Sequence, residues 1–174
     1  VGLLFESVIV CAQYLTGSTL GLQPLGAHRE FAEVQLGSAG FSRIGGTLAH
    51  PNRLGAYLES VLPVALALSF TASRLRMHLA AVGAFVLGLI ALILTLSRGA
   101  WVSAAVACGP LWAYLLLQRR MRLRATALII LFAVGVVLAC FAPVIIARWV
   151  EHDQGTAASR IPQMRVAWSM ITSH

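Results

Sequence analysis

Apolar residues in this chain come in long, nearly unbroken runs separated by short polar stretches. Four runs, Leu54–Ser73, Met77–Leu96, Ala100–Leu117 and Ala125–Ala147, approach or exceed the roughly 20 helical residues needed to cross a hydrocarbon layer about 30 Å thick. A fifth, Val1–Thr16, has the same character but begins inside the run, as a partial span. Lipid offers no partner to an unpaired backbone N–H or C=O, so each run must be helix. The pattern therefore predicts an all-α fold: a polytopic transmembrane helical bundle of four complete spans plus a partial N-terminal span. All 174 residues are expected to form a single membrane domain, itself a portion of a longer protein, with irregular outer loops over 17–53 and 148–174.

The two outer segments differ from the spans in kind. Residues 17–53 are rich in Gly, Ser and Thr, with turn signals at Gly37-Ser38-Ala39-Gly40 and Gly45-Gly46. After the polar stretch Gln154–Ser159, residues Met164, Ala167, Trp168 and Ile171 recur at helical spacing. A short amphipathic helix over Ile161–Thr172 is expected at the outer membrane surface, with Pro162 in its first turn.

Composition sharpens this picture. Hydrophobic residues make up 59% of the chain and charged ones 11%, and mean hydropathy is +0.83. Soluble domains run near half apolar and about a quarter charged, which excludes a soluble enzyme, a disordered chain and a disulfide-built secreted scaffold. The formal net charge of +7 comes from thirteen arginines and no lysine, placed mainly in loops between apolar runs. That placement argues against nucleic acid as a partner and for the bilayer. The short loops bearing Arg74 and Arg76, and Arg119, Arg120, Arg122 and Arg124, contain no acid and lie two spans apart. The positive-inside rule puts them in the cytoplasm, and the opposite side receives 17–53, Ser97-Arg98-Gly99 and the tail from Arg148. Cys11, Cys108 and Cys140 sit inside apolar runs as small packing residues.

Candidate chemistry gathers on the outer side. Arg98 joins two spans with almost no loop, as an interfacial anchor beside Trp101 or as a fixed cation facing an anionic ligand. Arg43 precedes a Gly pair that permits close backbone approach. Asn52, in His50-Pro51-Asn52, is positioned to cap the helix entering at Leu54. Glu59 lies inside a span, where an acid needs a partner such as Arg98 or Arg43. Arg160 and Arg165 suit a headgroup-facing helix face. Glu151-His152-Asp153 has metal-ligand composition, but adjacent residues converge poorly on one ion, so no metal site and no cofactor is expected. Nucleophile-serine motifs, phosphate loops with Lys, CxxC pairs and Asp-x-Asp carboxylates are absent from the sequence. Arginine remains charged and grips phosphate oxygens in pairs, so several of them suit a phosphate-bearing lipid.

Three blocks together resemble a known family. RIGGTLAHPN at Arg43–Asn52 followed by LGAYL, LTLSRGAW at Leu94–Trp101, and Ser159-Arg160 followed by WSMITSH ending at His174 are similar to signatures of the bacterial O-antigen ligase and O-antigen polymerase superfamily. The resemblance runs from about Arg43 to His174. In that family the histidine is followed by Pro and a Gly-rich stretch, which would complete the acceptor side; without it this portion is expected to be inactive alone. The resemblance implies an inner-membrane, metal-independent enzyme that takes glycan from undecaprenyl pyrophosphate on the periplasmic face. Ligases pass it to lipid A–core, polymerases to another lipid-linked repeat, and a related branch to protein. It also implies roles: Arg43, Arg98 and Arg160 hold the pyrophosphate, and His174 is the catalytic base, with His50, Asn52 and Glu59 in support. Two other classes remain as alternatives. A transporter or flippase of lipid-linked glycans would use helices broken at Pro63, Pro110 and Pro143. A non-catalytic assembly subunit would tolerate loss of Arg43, Arg98 and His174.

Overall fold

The computed structural model describes residues 2–27, 33–36, 39–117, 121–150 and 156–172. Its helices are α1 (Gly2–Thr16), α2 (Pro51–Thr71), α3 (Leu75–Leu94), α4 (Arg98–Leu117), α5 (Met121–Val150) and α6 (Thr156–Thr172). Between α1 and α2 lie a short 3₁₀ turn, Gln23–Leu25, and one antiparallel hairpin, β1 (Glu33–Leu36) and β2 (Ala39–Ser42). Its register sets Leu36 opposite Ala39 and Val34 opposite Phe41; the predicted turn residues Gly37 and Ser38 lie outside the described residues. The fold is thus helical, as expected, with one small hairpin that the loose outer-loop composition did not foreshadow.

Three helical stretches among the described residues are long and apolar enough to cross a membrane: Pro51–Thr71, Leu75–Leu94 and Arg124–Val150. Helix α1 is apolar but shorter. The fourth expected span, α4, is a 20-residue helix outside that group.

Helix ends depart from the hydropathy boundaries because capping, not apolarity, decides them. Pro51 has no N–H to lose and a φ suited to a first turn, so α2 starts there rather than at Leu54. The residue before it, His50, becomes the N-cap in extended backbone. This corrects the expectation that Asn52 caps the helix. Helix α6 begins at Thr156, so Pro162 lies in its interior rather than its first turn. Its Met164, Val166, Trp168, Met170 and Ile171 are all exposed, and a single apolar face is weaker than the spacing suggested. Pro63, Pro110 and Pro143 lie within continuous helices, not at breaks.

Helix α2 is the centre of the bundle. Its Leu54, Leu58, Leu62 and Leu66 recur every four residues and are essentially fully buried, one stripe of a 3.6-residue helix. They pack with Val10 of α1, Leu92 of α3, Ala100 and Ala104 of α4 and Ile130 of α5. Lipid tails are as apolar as leucine, so packing and close approach, rather than water expulsion, hold such helices together. Gly55 provides one close approach: a Cβ there would stand 2.8 Å from the Ala100 Cβ. Val102, Val106, Leu128, Ile129 and Phe132 remain exposed on α4 and α5, as lipid-facing side chains do.

The helices alternate in direction, so the start of α2, the end of α3, the start of α4 and the end of α5 share one end of the bundle. At the other end, a three-residue link joins α2 to α3, and His78 Nδ1 lies 2.6 Å from the Ser69 carbonyl oxygen.

Candidate active site

The shared end is organised by the last carbonyls of α3. A helix C-terminus leaves C=O groups without intrahelical partners and carries partial negative charge. Trp101 Nε1 donates to the Leu92 carbonyl at 3.0 Å, and the Ile44 N–H reaches that of Leu94 at 3.5 Å. Arg43 Nε donates to Thr95 O at 3.1 Å, and Arg148 Nε donates to Leu96 O at 3.1 Å. Leu96 turns the chain through left-handed backbone, φ 52°, and the Ser97 N–H closes the turn on Thr95 Oγ1 at 3.2 Å. Arg98 follows at once as the first residue of α4 and is half-buried. Guanidinium groups from the β2–α2 loop and from the end of α5 therefore converge on the turn that carries Arg98.

Arg43 is fixed from a second side. Its Nη2 donates to Asn52 Oδ1 at 2.7 Å. The Asn52 N–H in turn donates to His50 Nδ1 at 3.1 Å. So His50 and Asn52 support Arg43 as a chain: the histidine caps α2, and the asparagine that it orients holds the arginine. The bond also makes Nδ1 the acceptor, which puts the proton of a neutral ring on Nε2.

Beneath this loop lies a contact the sequence reading missed. Glu6 of α1 is buried, and its carboxylate accepts from both the backbone N–H (3.2 Å) and the hydroxyl of Thr47. Gly46 makes room for it: its φ is +59°, and a Cβ there would sit 2.6 Å from Glu6 Oε2. An acid inside an apolar run was the available signal. Gln13, two turns further along α1, is buried with neither amide atom hydrogen-bonded among the described residues.

Other expected residues fall elsewhere. Glu59 is half-buried within α2, while Arg43 is engaged by Asn52 and Thr95 rather than by this acid. Arg160 lies in α6, which makes no extensive contact with α1–α5 among the described residues. His174 and the run Glu151-His152-Asp153 lie outside the described residues. Arg148 was not singled out in the sequence, and nothing in its surroundings there marks it.

Beside the arginines the bundle opens into an apolar cavity of about 490 Å³ between α2, α3, α4 and α5. Its lining includes Trp101 and Trp149 near the arginine end and Cys108, Trp112 and Ile130 further along. A family model described as O-Antigen ligase matches residues 83–174, just over half of the chain. The chain belongs to the O-antigen ligase family. No curated protein and no solved structure matches it. The matched stretch begins in mid-α3 and includes Thr95, Arg98, Arg148, Arg160 and His174, so most of the arginine cluster lies within the O-antigen ligase region. Family and apolar helices together make this a multi-pass membrane protein whose partners are the bilayer and lipid-linked glycan.

Proposed function

We propose that the chain belongs to an O-antigen ligase-like glycosyltransferase that moves glycan from undecaprenyl pyrophosphate to lipid A–core on the periplasmic face of the inner membrane. The observation that carries this reading is the placement of Arg43 and Arg98 around one helix turn at the end of an apolar cavity. The polyprenyl chain lies along the cavity and the pyrophosphate lies at the arginines. Arg98 also begins α4, where first-turn N–H groups and the helix dipole favour an anion. Helix α4 serves as the fourth span, and Arg160 joins the site from the outer loop.

In the reaction the acceptor hydroxyl oxygen attacks the anomeric carbon. The bond from that carbon to the pyrophosphate oxygen breaks, and the leaving pyrophosphate takes the electron pair. His174 takes the hydroxyl proton; an imidazole titrates near neutrality and suits that task. One displacement inverts the anomeric configuration. Charge grows on the pyrophosphate as the bond breaks, and fixed arginines stabilise it without reorganising. Preorganised stabilisation of this kind commonly contributes more to catalysis than any other single effect. No step calls for a metal ion.

The test uses the intact gene in its native host. Deletion is expected to leave uncapped lipid A–core with long polymer retained on the carrier lipid. Core bearing single repeats would instead identify a polymerase. Normal surface glycan without carrier-linked material would overturn glycan transfer to lipopolysaccharide. Full-length Arg98→Ala and His174→Ala proteins that insert normally are expected to fail to complement, and wild-type transfer by both would sink the residue assignment.

A further inference from the structure

We infer that Arg148 is a positioning residue for the phosphate-binding end of the molecule: from the last turn of α5 it holds the α3–α4 turn that places Arg98. This rests on the proposed role of Arg98 in holding the pyrophosphate.

The turn's own bond, Ser97 N–H to Thr95 Oγ1, is joined by others from outside it. Leu96 adopts left-handed backbone without being glycine, a conformation that persists only where the surroundings impose it. Two of its carbonyls are gripped from outside, Thr95 O by Arg43 Nε and Leu96 O by Arg148 Nε, both at 3.1 Å. Each grip comes from a distant part of the chain, with 52 residues separating the partners in both cases. Arg148 commits its Nε to the peptide that turns the chain only two residues before Arg98. A guanidinium is planar, so one bond at Nε sets the direction of the whole fork. The acceptor carbonyl lies at the negative end of α3, which favours a cation there. Moving the Leu96 peptide therefore moves the first turn of α4 and the Arg98 side chain with it. An error of about 1 Å at a reacting centre costs on the order of a hundredfold in rate. Helix α5 becomes a strut that fixes the anion site, not only a membrane anchor.

The distinguishing measurement is a double-mutant cycle in the full-length protein, assayed in native membranes with lipid pyrophosphate-linked glycan as the varied donor. Arg148→Gln is expected to lower kcat about tenfold or more while KM for the donor changes less than about threefold, since the lipid chain still binds. In an Arg98→Gln background the same change is expected to cost less than about twofold, because the group it positions is gone. An equal loss in both backgrounds, or wild-type kcat for Arg148→Gln, overturns the inference. Arg148→Lys covers the case in which the glutamine variant does not accumulate. It keeps the cation and a donor for Leu96 O, so its loss is expected to be smaller and again absent beside Arg98→Gln; an equal loss in both backgrounds overturns the inference here too. Wild-type transfer by Arg98→Gln alone would bring down the pyrophosphate reading and this inference with it. A strong Arg98→Gln defect beside a silent Arg148→Gln would remove only the inference.

Discussion

Arg43 donates through Nε to the Thr95 carbonyl and through Nη2 to Asn52, so its orientation is set before any ligand arrives. Arg43→Lys keeps the charge but loses the planar fork that makes both bonds. Its transfer activity is therefore expected to fall nearly as far as that of Arg43→Ala, by about 10²–10³-fold in kcat, the range for losing one preorganised charge-stabilising donor. Glycan transfer by normally inserted variants measures this, and a lysine protein close to wild type would mean that charge alone suffices. Below Arg43, Gly46 faces the Glu6 carboxylate in left-handed backbone. Gly46→Ala adds a Cβ where the carboxylate oxygen already stands, in a conformation that side chains avoid, so a loss of about 1–3 kcal/mol in stability is expected. Thermal unfolding of the detergent-solubilised protein reads it, and an unchanged Tm would show that Glu6 moves aside freely.

At the scale of the element, His50 is an unusual helix cap. Asn and Ser are the commoner N-caps, but here Pro51 occupies the first turn and leaves its predecessor in the capping position. Its Nδ1 accepts the Asn52 N–H, and that bond also steers Asn52 toward Arg43. His50→Ala is expected to cost about 1 kcal/mol in stability, whereas His50→Ser, which restores a capping oxygen, is expected to regain most of it; Tm values of the pair decide. The same residues show what could be read from the sequence. Long apolar runs marked helices because nothing else can sit in lipid, and Pro51 already carried the information that moved the α2 start. Arg98 stood out as a charge between apolar runs, and Arg43 by the Gly pair and the signature block that it opens. Arg148, Thr95 and the Glu6–Thr47 contact did not, because each acts through a partner far along the chain, several of them main-chain atoms that no residue pattern encodes.

For the whole molecule, the alternating helices commit the arginine cluster and the α2–α3 link to opposite ends, so one orientation in the bilayer determines whether the proposed chemistry faces the periplasm. Arg74 ends the three-residue α2–α3 link and Arg76 lies in the first turn of α3, a stretch without acids where two apolar helices meet, the setting in which positive charge retains a loop in the cytoplasm. The cluster's own end carries arginines too, of which Arg43 and Arg148 are bound to helix-end carbonyls and Arg43 also to Asn52. The test is single-cysteine labelling in whole cells. Cys11, Cys108 and Cys140 are first replaced by Ala, since all three are free thiols. Ser18→Cys, in the exposed turn after α1, is expected to react with a membrane-impermeant thiol reagent in cells whose outer membrane alone is opened. Ser73→Cys, exposed in the α2–α3 link, is expected to react only after the inner membrane is breached. The reverse pattern would put Arg43 and Arg98 in the cytoplasm, out of reach of a periplasmic acceptor. The arginine cluster would then need a cytoplasmic anion as its ligand, while the helix packing and the family assignment would stand unchanged.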